Sequence, residues 1–517
     1  MSRGNGMRDV ELDDGGPDDG GPGAGDEAAR ARGDPRHGQR EPASVVPAGG
    51  GVGPALWARR RWLLLACALA LLAVVVVDGV RARAREAHLA AVAGVLEPMD
   101  SSLREVWTQP GGWQHPAVHG PDLMVSIFGD LRAGFRLVGN DIATGEQQWD
   151  VTLPDVASDL DVECRALGPD VHGRIGVFHA RSGPGAVSTH IVCRLVVPAA
   201  PGAELPAHGP GSEVRLVVLD AQTGETVADR SLEYGFGTVE TLRSDLLVTT
   251  VLSDGRVQVT REDPLTGRAR WTARSEQRLP GAGFGRGPQA PETRTEHGVI
   301  VVSGLITMAL SEDGDVLGEW PAEGGQRPVE LTVLADGRFV VGTPDVQGTV
   351  PYGTVSASDA GDGFPIDGPL LRLAVDDGSA SDLLLTTRAS TAEIVALDAR
   401  TGEPRWSAEA TPEDWELLLD DRLITTYRGD LVAVDTRTGR RLWTAADDPQ
   451  VDRPVLTDGH VVIFPTGYDD QEPILTAIDI TDGRALWTAA GPPGTVAFFE
   501  IGRRLIALQQ EQMTRLG

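Results

Sequence analysis

Few side chains in this 517-residue sequence have the types and spacing that chemistry requires. Cys164 and Cys193 lie in apolar alternating stretches that read as half-buried strands. In an oxidising compartment they make a disulfide candidate, worth about 3–4 kcal/mol by loop-closure entropy; two buried free thiols are the alternative. Cys67 sits inside a long apolar run. His115 and His119 have the i, i+4 spacing of a metal pair, but Pro116 between them opposes the helix which that pair needs. The acidic stretches Asp359 to Asp367 and Asp376-Asp377-Gly378 lack the ligand spacing of a calcium-binding loop and read as turns. There is no G-x-S-x-G elbow, no phosphate-binding Gly-Lys-Ser/Thr loop and no H-E-x-x-H. The residues therefore offer no catalytic, metal-binding or cofactor-binding set, and the expected cofactor is none.

What recurs is a phrase, D-x-x-T-G-x-x-x-W. Its strong copies are Asp141/Gly145/Trp149, Asp263/Gly267/Trp271, Asp398/Gly402/Trp406 and Asp435/Gly439/Trp443. Asp479/Gly483/Trp487 has Asp482 in place of Thr. Asp220/Gly224 keeps the turn but has Ala228 where Trp is due, and Asp359/Gly363 has Asp367 there. Ser311-Glu-Asp313-Gly314 is degenerate and one residue short. Each part has a physical job. An apolar strand leads in, the Asp carboxylate accepts backbone N–H groups and closes a turn, and Gly supplies positive φ. The following strand carries Trp, which buries a large area and still donates through its indole N–H. One copy is a hairpin. Eight copies about 48 residues apart are an array of units with several short strands each, the arithmetic of a β-propeller.

The repeat resembles that of the quinoprotein, or pyrroloquinoline-quinone-like, β-propeller family, over roughly 105–517. The resemblance implies an all-β ring with each Trp docked between neighbouring blades. Residues 103–108, with Trp107, look like the end of a repeat without its turn, and 495–516 are strands without a final turn. The two termini would complete one blade together. Eight turns plus a closing blade count nine; with Ser311 taken as degenerate, the expectation is eight blades, within a range of seven to nine.

Ahead of the array stand three segments. Residues 1–58 are a Gly/Asp/Pro-rich tail too poor in large apolar groups to fold. Residues 59–81 contain the apolar run 62–77, extended to 80, flanked by Arg59-Arg60-Arg61 and by Arg81, Arg83 and Arg85. The core run of about 16 residues gives about 24 Å of helix against a bilayer core of about 30 Å, and the extension to 80 brings it near the length of a single transmembrane helix. The long segment before it and the lack of a cleavage site speak against a signal peptide. Residues 82–104 read as a juxtamembrane segment. The flanking arginines tie, so the positive-inside count does not orient the chain. The polar tail and the cysteine pair place the N-terminus in the cytoplasm and the propeller outside a cell membrane, single-pass. Between Asp141 and Asp220 one enlarged blade is expected, with a Pro/Gly-rich excursion over 198–211.

Basic residues number 46 and acidic ones 75, for a net charge of −29, which repels a nucleic-acid backbone. Two readings stay open. One is a non-enzymatic membrane-tethered scaffold that binds an unidentified protein or cell-envelope component. The other is a membrane-bound quinone-dependent dehydrogenase, which the resemblance allows. That family's enzymes use a stacking aromatic floor, calcium held by carboxylate and amide ligands, and commonly adjacent cysteines. The three cysteines here are scattered and the asparagines are Asn5 and Asn140 alone. Trp113 and Trp415 lie off the repeat register and could line a pocket.

Overall fold

The computed structural model describes residues 54–110, 116–119, 122–130, 134–153, 162–168, 188–197, 213–232, 237–279, 291–322, 328–342, 353–356, 363–388, 391–413, 415–445, 455–466, 472–510 and 512–517. The chain divides into two units, Met1–Val74 and Val75–Gly517. Of the first, the described part is the start of helix α1, Pro54–Ala91. Among the described residues no helix is long and apolar enough to cross a membrane; the side chains of most of the run 62–71 lie outside them. The tail expectation for 1–58 falls almost wholly outside the described residues, as do Trp113, His115 and the excursion at 198–211.

The second unit is a β-propeller with nine sheets among the described residues. Blades 1 to 5 are four-stranded meanders over 116–153, 162–232, 237–274, 292–321 and 330–366. Blade 6 is three-stranded, 383–409; blade 7 covers 416–444 and blade 8 covers 456–490. Blade 9 takes Thr495–Ile501, Arg504–Gln509 and Gln512–Leu516 from the end of the chain and Glu105–Pro110 from its start, which pairs antiparallel with Gln512–Leu516. The termini thus close one blade, as the sequence suggests.

The expected count of eight blades is corrected to nine. The Ser311 turn, degenerate in its letters, builds a full hairpin: Gly314 N–H donates to Ser311 O at 3.0 Å, with Gly314 at φ 92°. A hairpin needs the positive-φ residue, not the Asp and Thr around it. The interval between Asp141 and Asp220 spans the end of blade 1 and most of blade 2, whose strands are Val162–Leu167, His190–Val197, Glu213–Asp220 and Thr226–Leu232.

First strands of successive blades touch one another in blades 1 to 4, so they form the inner ring that borders the central channel. Two extra segments attach to that inner edge. Leu373–Asp376 pairs in parallel with Glu416–Leu419, the first strand of blade 7. Val95 makes a parallel bridge to Thr457 in the first strand of blade 8. Gly94 lies against Val375, so the two segments meet. Leu89, Val92 and Val95 pack with Val375, Trp415 and Leu417 in one buried cluster. The stem between α1 and the ring is therefore part of the ring's core.

Candidate functional site

The repeat residues form a set of joints between blades. At the first turn, Asp141 Oδ1 accepts Thr144 N–H at 2.7 Å and the Thr144 hydroxyl at 3.0 Å, and Gly145 N–H returns to Asp141 O at 2.8 Å. Turns at Asp220, Asp263 and Asp435 repeat this pattern; at Asp398 the Thr401 N–H bond recurs. These bonds favour the ionised carboxylate. Asp220 and Asp263 titrate below the usual range, first through the N–H of Thr223 and Thr266. Asp398 is held far below it, first by Arg405 and then by the Thr401 N–H. Of the Asp359 turn only Gly363 is described.

Five of the turn glycines lie under a Trp ring of the preceding blade, because a side chain there would overlap it. Trp107 lies over Gly145, Trp149 over Gly224, Trp271 over Gly314, Trp406 over Gly439 and Trp443 over Gly483. Each indole N–H then donates to the carbonyl one residue past the turn's first position. The acceptors are Ile142, Ala221, Glu312, Thr436 and Ile480, at 2.8, 3.0, 3.0, 2.6 and 3.0 Å. The docking runs from blade 9 to 1, 1 to 2, 3 to 4, 6 to 7 and 7 to 8. Trp487 instead packs half-buried against blade 9, where no turn joins the third strand, Gln512–Leu516, to the fourth, Glu105–Pro110.

Where the phrase lacks its Trp, substitutes fill the joint. Arg230, two residues after Ala228 on the same strand face, covers Gly267 and pairs with Glu262. Phe364 covers Gly402. In blade 4 the Trp register falls on Gly318, and Trp320, two residues on, folds back over it and meets Phe339 edge-on at 5.8 Å. A search by phrase misses these three; a search at two-residue offsets along the last strand finds Arg230 and Trp320.

Cys164 and Cys193 stand directly opposite each other on the first two strands of blade 2, joined with S–S 2.07 Å and Cα–Cα 4.0 Å. Both are buried. In protein purified without reductant, mass spectrometry is expected to find neither thiol alkylated after unfolding; alkylation of both would remove the bridge.

The inner wall of blades 2 to 5 carries polar side chains that link neighbouring blades. Arg165 reaches Glu163 and, at 3.1 Å, Glu240 of the next blade. Thr238 Oγ1 donates to Pro291 O at 2.8 Å. Arg294 binds Glu296 at 2.7 Å, Ser303 at 2.6 Å and the Leu331 carbonyl, while Val333 N–H donates to Glu296 at 3.0 Å. Arg372 and Glu330 pair at 3.3 Å near the exposed end. Glu163, Arg165, Arg194 and Thr241 line a small recess with Val192 and Val239. Side chains of opposite charge thus strap neighbouring blades together and present a polar face. Among the described residues no three His, Cys, Asp or Glu gather closely enough for a metal ion. The five docked indoles lie in blade joints, so none of them fits as a stacking floor for a quinone. Trp415 is 3% exposed in the stem cluster, so it lines no pocket.

The fold and its joints define a β-propeller of repeated Asp-turn–Trp units. Residues 390–514 match the sequence profile described as outer membrane protein assembly factor BamB, a PQQ-like β-propeller repeat profile. Similar solved structures include BamB from Moraxella catarrhalis, at 16% identity, 80% of this chain, 99% of that chain and TM-score 0.38. A europium-containing methanol dehydrogenase is 12% identical over 82% of this chain and 95% of that one, TM-score 0.38. A quinohemoprotein alcohol dehydrogenase from Comamonas testosteroni is 12% identical over 82% and 78%, TM-score 0.38. At these identities they assign no activity to this chain. No curated protein matches the sequence.

Proposed function

We propose that this chain is a non-enzymatic binding module, a propeller held at a cell membrane by the apolar run 62–80 and set outside the cytoplasm, whose partner is a protein or an envelope component. The observation that carries this reading is the use of the repeat residues. The docked indoles and turn carboxylates are committed to blade joints and hairpins, and the wall of blades 2 to 5 offers paired charges. Such a wall can exchange its internal partners for those of a bound protein, which favours specificity. The family profile, described as an assembly factor, supports the same reading.

Cross-linking in intact membranes followed by purification of the full chain is expected to recover one specific partner, and Arg372→Glu at the exposed end of the wall to weaken its capture. Adding pyrroloquinoline quinone and calcium to the purified protein is expected to give neither stoichiometric binding nor dye-linked oxidation. Tight one-to-one binding with oxidation of an alcohol or sugar would replace this reading with the dehydrogenase. A reporter active only in the cytoplasm, fused after Gly517, is expected to be silent.

A further inference from the structure

A hairpin of blade 9 grips the stem through both its backbone and its side chains. In blade 9 the turn Gly502-Arg503 has φ of 55° and 66°, the signature of a two-residue type I′ loop. Glu97 N–H donates to Arg503 O at 2.8 Å. The Arg503 guanidinium turns back to the stem carbonyls of Val95 and Leu96, at 3.4 and 3.5 Å. Arg504 pairs with Glu97. Beneath the turn lies Glu500, whose carboxylate accepts Arg503 N–H. We propose that this hairpin is a proton-responsive clasp on the stem: a neutral Glu500 leaves the Arg503 guanidinium on the Val95 and Leu96 carbonyls, and an ionised Glu500 draws it away.

The chemistry is a competition for one cation. The two stem bonds are long, so they are weak. A carboxylate under the same turn is a stronger acceptor for a guanidinium than an amide carbonyl. Burial pushes the Glu500 carboxyl up to about 7, opposed by the Arg503 N–H bond and the Arg503 charge. Its folded value therefore lies above its unfolded one. The stabilisation is complete below about 4.5 and is lost as pH rises through about 7. The proton passes to solvent, and no covalent bond changes besides the carboxyl O–H.

The other charged groups around the clasp are already engaged. From the stem, Glu97 is paired with Arg504. Arg515, on the neighbouring strand, disfavours the charge on Arg504 and donates to Ala143 O. From the blade 8 hairpin, Asp458 accepts the N–H groups of Met99, His460 and Val461. His460 Nδ1 lies 3.1 Å from Arg85, and its Nε2 is 3.9 Å from Glu86. His460 is the rival switch, because protonation of Nδ1 would remove its bond to Arg85.

Hydrogen exchange of the Leu96 and Glu97 amides in the full chain tests the clasp, since these N–H groups bond to Thr457 O and Arg503 O. After correction for intrinsic exchange, their opening equilibrium is expected to rise about tenfold or more between about pH 6 and about pH 8, a change of about 1.4 kcal/mol. Glu500→Gln is expected to abolish the rise while holding the stem closed. His460→Gln is expected to keep it. A wild-type rise that survives Glu500→Gln, a rise abolished by His460→Gln, or the absence of any rise would each overturn the proposal. Amides in the second strand of blade 3 serve as reference, and an equal rise there would assign the effect to the whole ring and overturn it too.

Discussion

Trp443→Ala is expected to lower stability by about 3–5 kcal/mol, read as a shift in the chemical-denaturation midpoint. The indole is 8% exposed, seals blade 7 onto blade 8 over Gly483, and donates its N–H to Ile480 O at 3.0 Å. Truncation removes the ring's contacts and leaves a cavity beside a glycine that cannot fill it. It also leaves a buried carbonyl without its donor, which adds to the cost. A ring has no free end at which this loss can be absorbed, so the two blades must loosen together. Trp487→Ala is the control. It sits at the same register but half-buried, with no glycine turn beneath it, and its loss is expected to be clearly smaller. Equal shifts in the two variants would show that the joint geometry, as distinct from the area of an indole, contributes nothing.

The turns were legible because every ingredient is local. Asp141, Thr144 and Gly145 make their bonds within five residues, and the Trp follows at a fixed offset. What the phrase could not show is tolerance. Ser311 and Gly314 suffice for a hairpin, and Arg230 or Phe364 can seal a joint; strand alternation and shape complementarity allow several side chains to do one job, and a count of matching letters undervalues them. The inner wall was not legible at all, because it depends on which residue of one blade faces which of the next. Arg165 finds Glu240 75 positions away. The stem is the extreme case. His88 meets Asp377 across 289 positions and Arg503 meets Val95 across 408. Val92 to Leu96 falls, from sequence, inside a juxtamembrane segment, and only the closed ring shows that it enters the core.

Val95→Asp should therefore do more than disturb a linker. Val95 is fully buried, bridged to Thr457 on the inner edge of blade 8 and packed with Leu89, Val375 and Trp415. A carboxylate there has no cation assigned to it within that apolar cluster. Its options are to stay neutral, at the cost of burying an unpaired polar group, or to expel the stem from the blade 7–8 junction. Either route costs about 3–5 kcal/mol, the range for an uncompensated buried charge. Val95→Ala, which only empties space, is expected to cost about 1–3 kcal/mol. Val106→Asp, on the 41% exposed side chain of the strand that closes blade 9, is expected to be close to neutral. The denaturation midpoint is expected to be lowest for Val95→Asp, higher for Val95→Ala and highest for Val106→Asp, and that order tests whether the stem belongs to the ring. If Val95→Asp melts like the wild type, the stem is a tether lying on the surface, and the ring closes without it.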